Sequence, residues 1–152
     1  MSSTPDLFTD PVCDRLVTYL RDGLNEAYPE QIVVNSTRSY DAYNVPYTEY
    51  PLLKVYRVSE MGKIDRNESE VQLVISYSLV FPELEQLAPI MIWVRRQIRR
   101  LLAGWDVNCP GFPILSNQYR ADYRTMFNEQ TLKVHKFLQF SLTVSDTTAV
   151  YP

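Results

Sequence analysis

The sequence predicts an α+β fold, a mostly antiparallel sheet with two α-helices packed on one face. Three observations lead there. The run "EVQLVISYSLVF" (70–81) alternates, with Val71, Leu73, Ile75, Tyr77, Leu79 and Phe81 facing one way and Gln72, Ser76 and Ser78 the other. That period of two marks a half-buried strand. Two further stretches repeat apolar residues at three and four: Val12, Leu16, Leu20, Leu24 and Ala27, then Leu87, Met91, Val94, Ile98, Leu101 and Trp105. Each is the buried stripe of a helix. The elements run helix, short strand, long loop, two strands, helix, two strands, an order that lets strands pair as hairpins. The 152 residues suffice for one domain with a core, 1–152, with 1–9 and 147–152 read as terminal arms.

Taken in order, Thr9-Asp10-Pro11 supplies a capping side chain and a proline for the first helical position. Tyr28-Pro29 stops that helix. "QIVVN" (31–35) reads as a short strand. Residues 36–50, "STRSYDAYNVPYTEY", show no period and contain Tyr40, Tyr43, Tyr47 and Tyr50. Such a loop either offers its rings to a partner or lays them over its own domain, and both readings stay open. "PLLKVYRV" (51–58) is a strand, and "SEMGKIDRNES" (59–69) is the polar connection to the next one. Within it Met61 and Ile64, among Lys63, Asp65 and Arg66, suggest a docking tip rather than a merely solvated turn.

The second helical stretch, "FPELEQLAPIMIWVRRQIRRLLAGW" (81–105), contains Pro89, so the helix either begins near Ala88 or, the preferred reading, has a separate first turn from Glu83 and a bend at the proline. Arg95 and Arg99, and Arg96 and Arg100, are spaced by four and form a basic band away from the apolar stripe. A band near a helix C-terminus is favoured by the helix dipole alone, so the pattern does not by itself name a ligand. After the loop "DVNCPGFP" (106–113), "NQYRADYRTMF" (117–127) and "TLKVHKFLQFSLTVSD" (131–146) form a second hairpin. Val134, Leu138, Phe140, Leu142 and Val144 share a face that Lys136 interrupts.

Composition excludes several chemistries. Four glycines and no phosphate-loop pattern leave no glycine-rich cradle, and no cofactor is expected. His135, the only histidine, sits in a strand-like run, where a structural role outweighs that of a general base. Cys13 and Cys109 lack metal-ligand spacing and read as free thiols. A net charge of −3 disfavours duplex binding through bulk charge. No apolar run approaches the ~18 residues that span a bilayer, and "MSSTPDLFTDPVCD" lacks the basic and apolar regions of a signal peptide. A protein made and used inside a reducing cell is expected.

Length points towards assembly. A compact domain of this size is ~38 Å across. Fully extended, 131–145 would reach about 50 Å and 70–81 about 40 Å. Strands that project beyond a core expose unpaired backbone groups, which invite pairing with a neighbouring subunit.

The layout resembles the tail terminator (tail completion) proteins of long-tailed bacteriophages. The likeness runs from the first helix (10–28) to the last strand. It rests on element order, on the hairpin ahead of the long helix and on "YRADYRTMFNEQTLKVHKFLQFSLTV" (119–144). That family has no catalytic signature, and its working surfaces are loops and edges. The resemblance implies a hexameric ring at the tail–neck junction of a virion, assembled in the host cytoplasm. Its partners would be further copies of the chain, the tail tube protein, a neck or head-completion protein and the sheath protein. It implies no enzyme, no membrane partner, and DNA only as passing cargo. The interface candidates are Tyr40, Tyr43, Tyr47, Tyr50, Met61, Lys63, Ile64, Asp65, Arg66, Arg95, Arg96, Arg99 and Arg100. Pro89 and the tyrosine-rich loop depart from the family pattern and leave other neck or tail-tube proteins open. A small nucleic-acid-binding module using the Arg95–Arg100 band beside Trp93 and Trp105 is the rival of another class. A hydrolase built on carboxylate pairs ranks below both.

Overall fold

Asp10 starts the first helix as its place before Pro11 predicts. Its Oδ1 accepts the backbone N–H groups of Val12 and Cys13 at 3.2 and 3.3 Å, donors that a helix start leaves without an intrahelical acceptor. The helix, α1 (Pro11–Ala27), buries Val12, Cys13, Leu16, Val17, Leu20 and Leu24. The computed structural model describes residues 10–65, 69–81, 87–105, 112–115 and 118–146. Both terminal arms and Cys109 therefore lie outside the described residues.

The remaining elements are β1 (Ser36–Arg38), a 3₁₀ turn (Tyr47–Glu49), β2 (Leu52–Gly62), β3 (Ser69–Phe81), α2 (Leu87–Ala103), β4 (Arg120–Asn128) and β5 (Lys133–Asp146). The strands form one sheet in the order β1-β2-β3-β5-β4. Every pairing is antiparallel except β1 with β2. Alternation along β3 sends Val71, Leu73, Ile75, Tyr77 and Leu79 into a core shared with Leu16, Leu20 and Leu24 of α1 and Met91, Val94 and Ile98 of α2. Both helices thus cover one face, and the fold is α+β as expected. Where they cross, a Cβ on Gly23 would sit 2.4 Å from Leu101 Cδ2, so the absence of a side chain permits the close approach. Tyr19 Oη donates to the Leu101 carbonyl at 2.7 Å beside it.

Three expectations need correction. Residues 31–35 form no strand. Asn25 Oδ1 accepts from Val33 N and Val34 N at 3.0 and 2.9 Å, which ties this segment to the end of α1. Val33 and Val34 are buried, so the apolar pattern registered burial, and pairing begins only at Ser36, opposite Leu52. Second, residues 59–62 belong to β2, with Met61 opposite Glu70 and Gly62 opposite Ser69. The register slips at a bulge between Arg57 and Ser59, which broke the alternation that sequence reading relied on.

The described part of α2 begins at Leu87, next to Ala88, the alternative start, and within its first turn the missing N–H of Pro89 displaces no intrahelical bond. The turn expected from Glu83 lies outside the described residues. Finally, the longest strands do not project. β3 pairs along its whole length with β5, and over 69–78 with β2 on its other side. Among the described residues the outer side of β4 is unpaired, as is that of β2 beyond Lys54.

Candidate functional site

The four loop tyrosines divide into two pairs. Tyr47 and Tyr50 are half-buried and pack on the His135 ring, with centroids 5.5 and 6.1 Å away. Lys133 Nζ stands 4.2 Å over the Tyr47 ring. This cluster lies on the sheet face opposite the helices, because His135 pairs with Val80 rather than with a core-facing residue. Burial, then the charge of Lys133, pushes the His135 pKa below its ordinary value. Lys54 Nζ pins the loop by donating to Asp41 at 2.9 Å and to the Ala42 carbonyl at 3.2 Å. Tyr40 and Tyr43 remain outside, 60% and 79% exposed. Two of the rings thus cover the sheet, and two are exposed.

At the hairpin end joining β2 to β3, Met61 is 75% exposed and Ile64 fully so. Neither contributes to the core. Lys63 and Asp65 are exposed beside them, and Arg66 lies outside the described residues. The tip is shorter than the 59–69 connection expected, since half of that segment is strand.

The arginine band is not one surface. Arg96, Arg99 and Arg100 are exposed, and Arg100 Nε donates to Gln97 Oε1 at 3.0 Å. Arg95 turns towards the sheet, half-buried, with its Nη1 3.3 Å from the Tyr119 hydroxyl, to which it donates. Spacing by four placed the pairs correctly but could not show which of them adjoins β4.

Sequence reading missed the site's main feature, the β4 side of the sheet. Among the described residues no strand pairs with the outer edge of β4. On its helix-side face Tyr123 and Phe127 are exposed, since α2 does not reach over them, and Met126 on the other face is 63% exposed. Between α2 and β4 runs a trough of about 380 Å³ lined by Met91, Ile92, Arg95, Tyr123 and Lys136. Lys136, the residue that interrupts the apolar face of β5, stands in this trough rather than in the core. The available signal was the failure of "RADYRTMFN" to alternate, since apolar side chains on both faces do not suit a solvated edge.

One polar cluster is internal. Arg57, at the bulge of β2, donates to Asp10 at 2.8 Å and to the buried Asp146 at 2.9 Å, and pairs with Glu60. Burial raises the Asp10 pKa, but the hydrogen bonds and charge of Arg57 outweigh it and hold the carboxyl below its ordinary value. The cluster locks the start of α1 to the end of β5. Cys13 is free and buried, and burial drives its thiol pKa upward, away from reactivity. An apolar groove of about 630 Å³ lies between the end of α1 and the start of α2. Its buried hydroxyl, Tyr77, donates to the Val33 carbonyl at 2.7 Å.

Among the described residues no group of three histidine, cysteine or acidic side chains could hold a metal ion. No described helix is long and apolar enough to cross a membrane. No family model matches the chain, and no curated protein matches it either.

Proposed function

We propose that this chain is a structural virion subunit that associates with copies of itself into a ring, in the manner of a tail terminator. The ring caps the tail tube and meets the neck. One observation carries the self-association: the nine-residue edge of β4, without a partner strand on its outer side among the described residues, with Tyr123, Phe127 and Met126 exposed across both faces. An open edge of that length can template pairing with another chain, and the exposed rings add apolar area beside the charges of Arg120, Asp122 and Arg124. A partner would bury those rings and satisfy the edge amides together. The place of the ring in a virion rests on the element order and on the hairpin ahead of the long helix.

A terminator must match the tube on one side and offer a different surface on the other, or polymerisation would continue. The chain supplies two unlike ends. One carries the tip around Met61 and Ile64; the other joins the tyrosine loop to the β4–β5 turn, where Tyr47 Oη donates to Thr131 Oγ1 at 3.4 Å.

Antibody labelling of particles that contain the protein tests the placement. Label confined to the junction of tail and neck supports it; label along the tube, at the distal tip or on no part of the tail contradicts it. Duplex binding with a salt slope of several charges would replace it with the nucleic-acid reading.

A further inference from the structure

The four long strands alternate in direction. Each neighbouring pair is antiparallel, so β2 and β5 run one way and β3 and β4 the other. Among the described residues this sheet ends on two unpaired runs. One is β4; the other is β2 beyond Lys54, because β1 covers only Leu52, Leu53 and Lys54. They match in length: β4 has nine residues, and the eleven of β2 less the three beside β1 leave eight. Both bear exposed apolar side chains, Val58 and Met61 on β2, Tyr123, Met126 and Phe127 on β4. A second copy set beside the first in the same orientation presents its β2 antiparallel to β4, with the helices of both copies on one face.

We infer that β4 of one copy pairs with the free run of β2, residues 55–62, in the next copy. Here β1 sets the register, since an added strand has to stop where β1 begins. Antiparallel β4 then places Phe127 opposite Val55 on the helix side, and Met126 opposite Tyr56 on the open face. Val55 belongs to the core beneath α1. Phe127, which α2 leaves uncovered, so comes to the margin of the neighbour's core.

This register fits a closing sheet. Within one copy Tyr56 is level with Val74, Ser141 and Arg120. Setting it against Met126 of a neighbour shifts successive copies by the six positions from Arg120 to Met126. That is ~20 Å at ~3.3 Å per residue, against ~19 Å of width for four strands at ~4.8 Å. The ratio corresponds to a strand tilt of about 45°, at the upper end of the range in which sheets close on themselves. Pairing β4 with β4 about a two-fold axis would instead stop at a dimer and leave β2 open in both copies. Head-to-tail pairing leaves neither run open once the ring closes. The inference rests on the self-association reading above and names the strands that meet.

The test is disulfide trapping in the full chain carrying Tyr56→Cys and Met126→Cys. Within one copy two strands and six positions separate these residues, far beyond the ~7 Å that a disulfide spans between Cα atoms. Any cross-link between them therefore joins two copies. Circular dichroism checks folding, and sedimentation velocity checks that wild type assembles. After oxidation, a denaturing gel without reductant should show the monomer band of the double variant lost to a ladder of covalent multimers. Each single variant should keep its monomer band. A second pair, Ser59→Cys with Met126→Cys, samples the adjacent open-face register and should cross-link less. A ladder stronger in this second pair would overturn the register. If wild type assembles and neither pair cross-links, or Met126→Cys alone gives dimers as readily, association stands but these strands do not meet. A wild type that stays monomeric at every concentration sinks self-association itself.

Discussion

Leu132 shows how a single residue can work against its own turn. It sits in the β4–β5 connection with φ at 56° and is exposed. A γ-branched side chain gains nothing there and carries the steric cost of a left-handed backbone, roughly 1–2 kcal/mol. Leu132→Asn should therefore raise the urea midpoint, by about 0.5–1 kcal/mol in stability, with an unchanged m-value. Arg57 represents the opposite case, a residue on which several elements depend. Arg57→Met removes the guanidinium that binds both Asp10 and Asp146, the latter 2% exposed, and should cost about 3 kcal/mol. The pH dependence has a definite sign. Because the folded-state Asp10 pKa lies below its ordinary value, its contribution is complete above the ordinary carboxylate range and is lost as pH falls through the lowered value. Acid titration of unfolding free energy should show this loss in wild type and a smaller one in Arg57→Met. The Asp10 cap was legible in sequence, because Asp-Pro before an apolar stripe is a local signal. Its bond to Arg57 was not, since that contact spans 47 positions and depends on a bulge.

At the scale of elements, periodicity located both helices and the four long strands, because their buried faces repeat at fixed spacing. It failed where a side chain, rather than a ladder, holds the backbone. Residues 31–35 carry the apolar signature of a strand, yet Asn25 accepts their N–H groups and β1 starts later. Asn25→Ala would leave both amides without that acceptor and should cost about 1–3 kcal/mol in chemical denaturation. Pro89 has two readings in sequence because its effect depends on where the helix begins. In the first turn it displaces no hydrogen bond, so Pro89→Ala should change stability by less than about 1 kcal/mol. A gain of about 3 kcal/mol would mean that the proline interrupts a longer helix.

For the molecule as a whole, the α+β architecture was legible because burial on one face dominates its sequence pattern. The candidate surfaces were legible only in part. Met61 and Ile64 could be picked out as apolar residues in a polar segment, and they are exposed. The open edge could not, since which strand lies outermost depends on pairing order: β5 follows β4 in sequence but sits inside it in the sheet. Strand length suggested assembly for a reason the structure removes, and the exposed Tyr123, Met126 and Phe127 of β4 supply a different one.

Native mass spectrometry of the full chain, alone and with tail tube protein, tests that assembly most directly. The account predicts a closed species of six copies of the 17.7 kDa chain, with no larger series beyond it. A chain that remains monomeric under both conditions would contradict it.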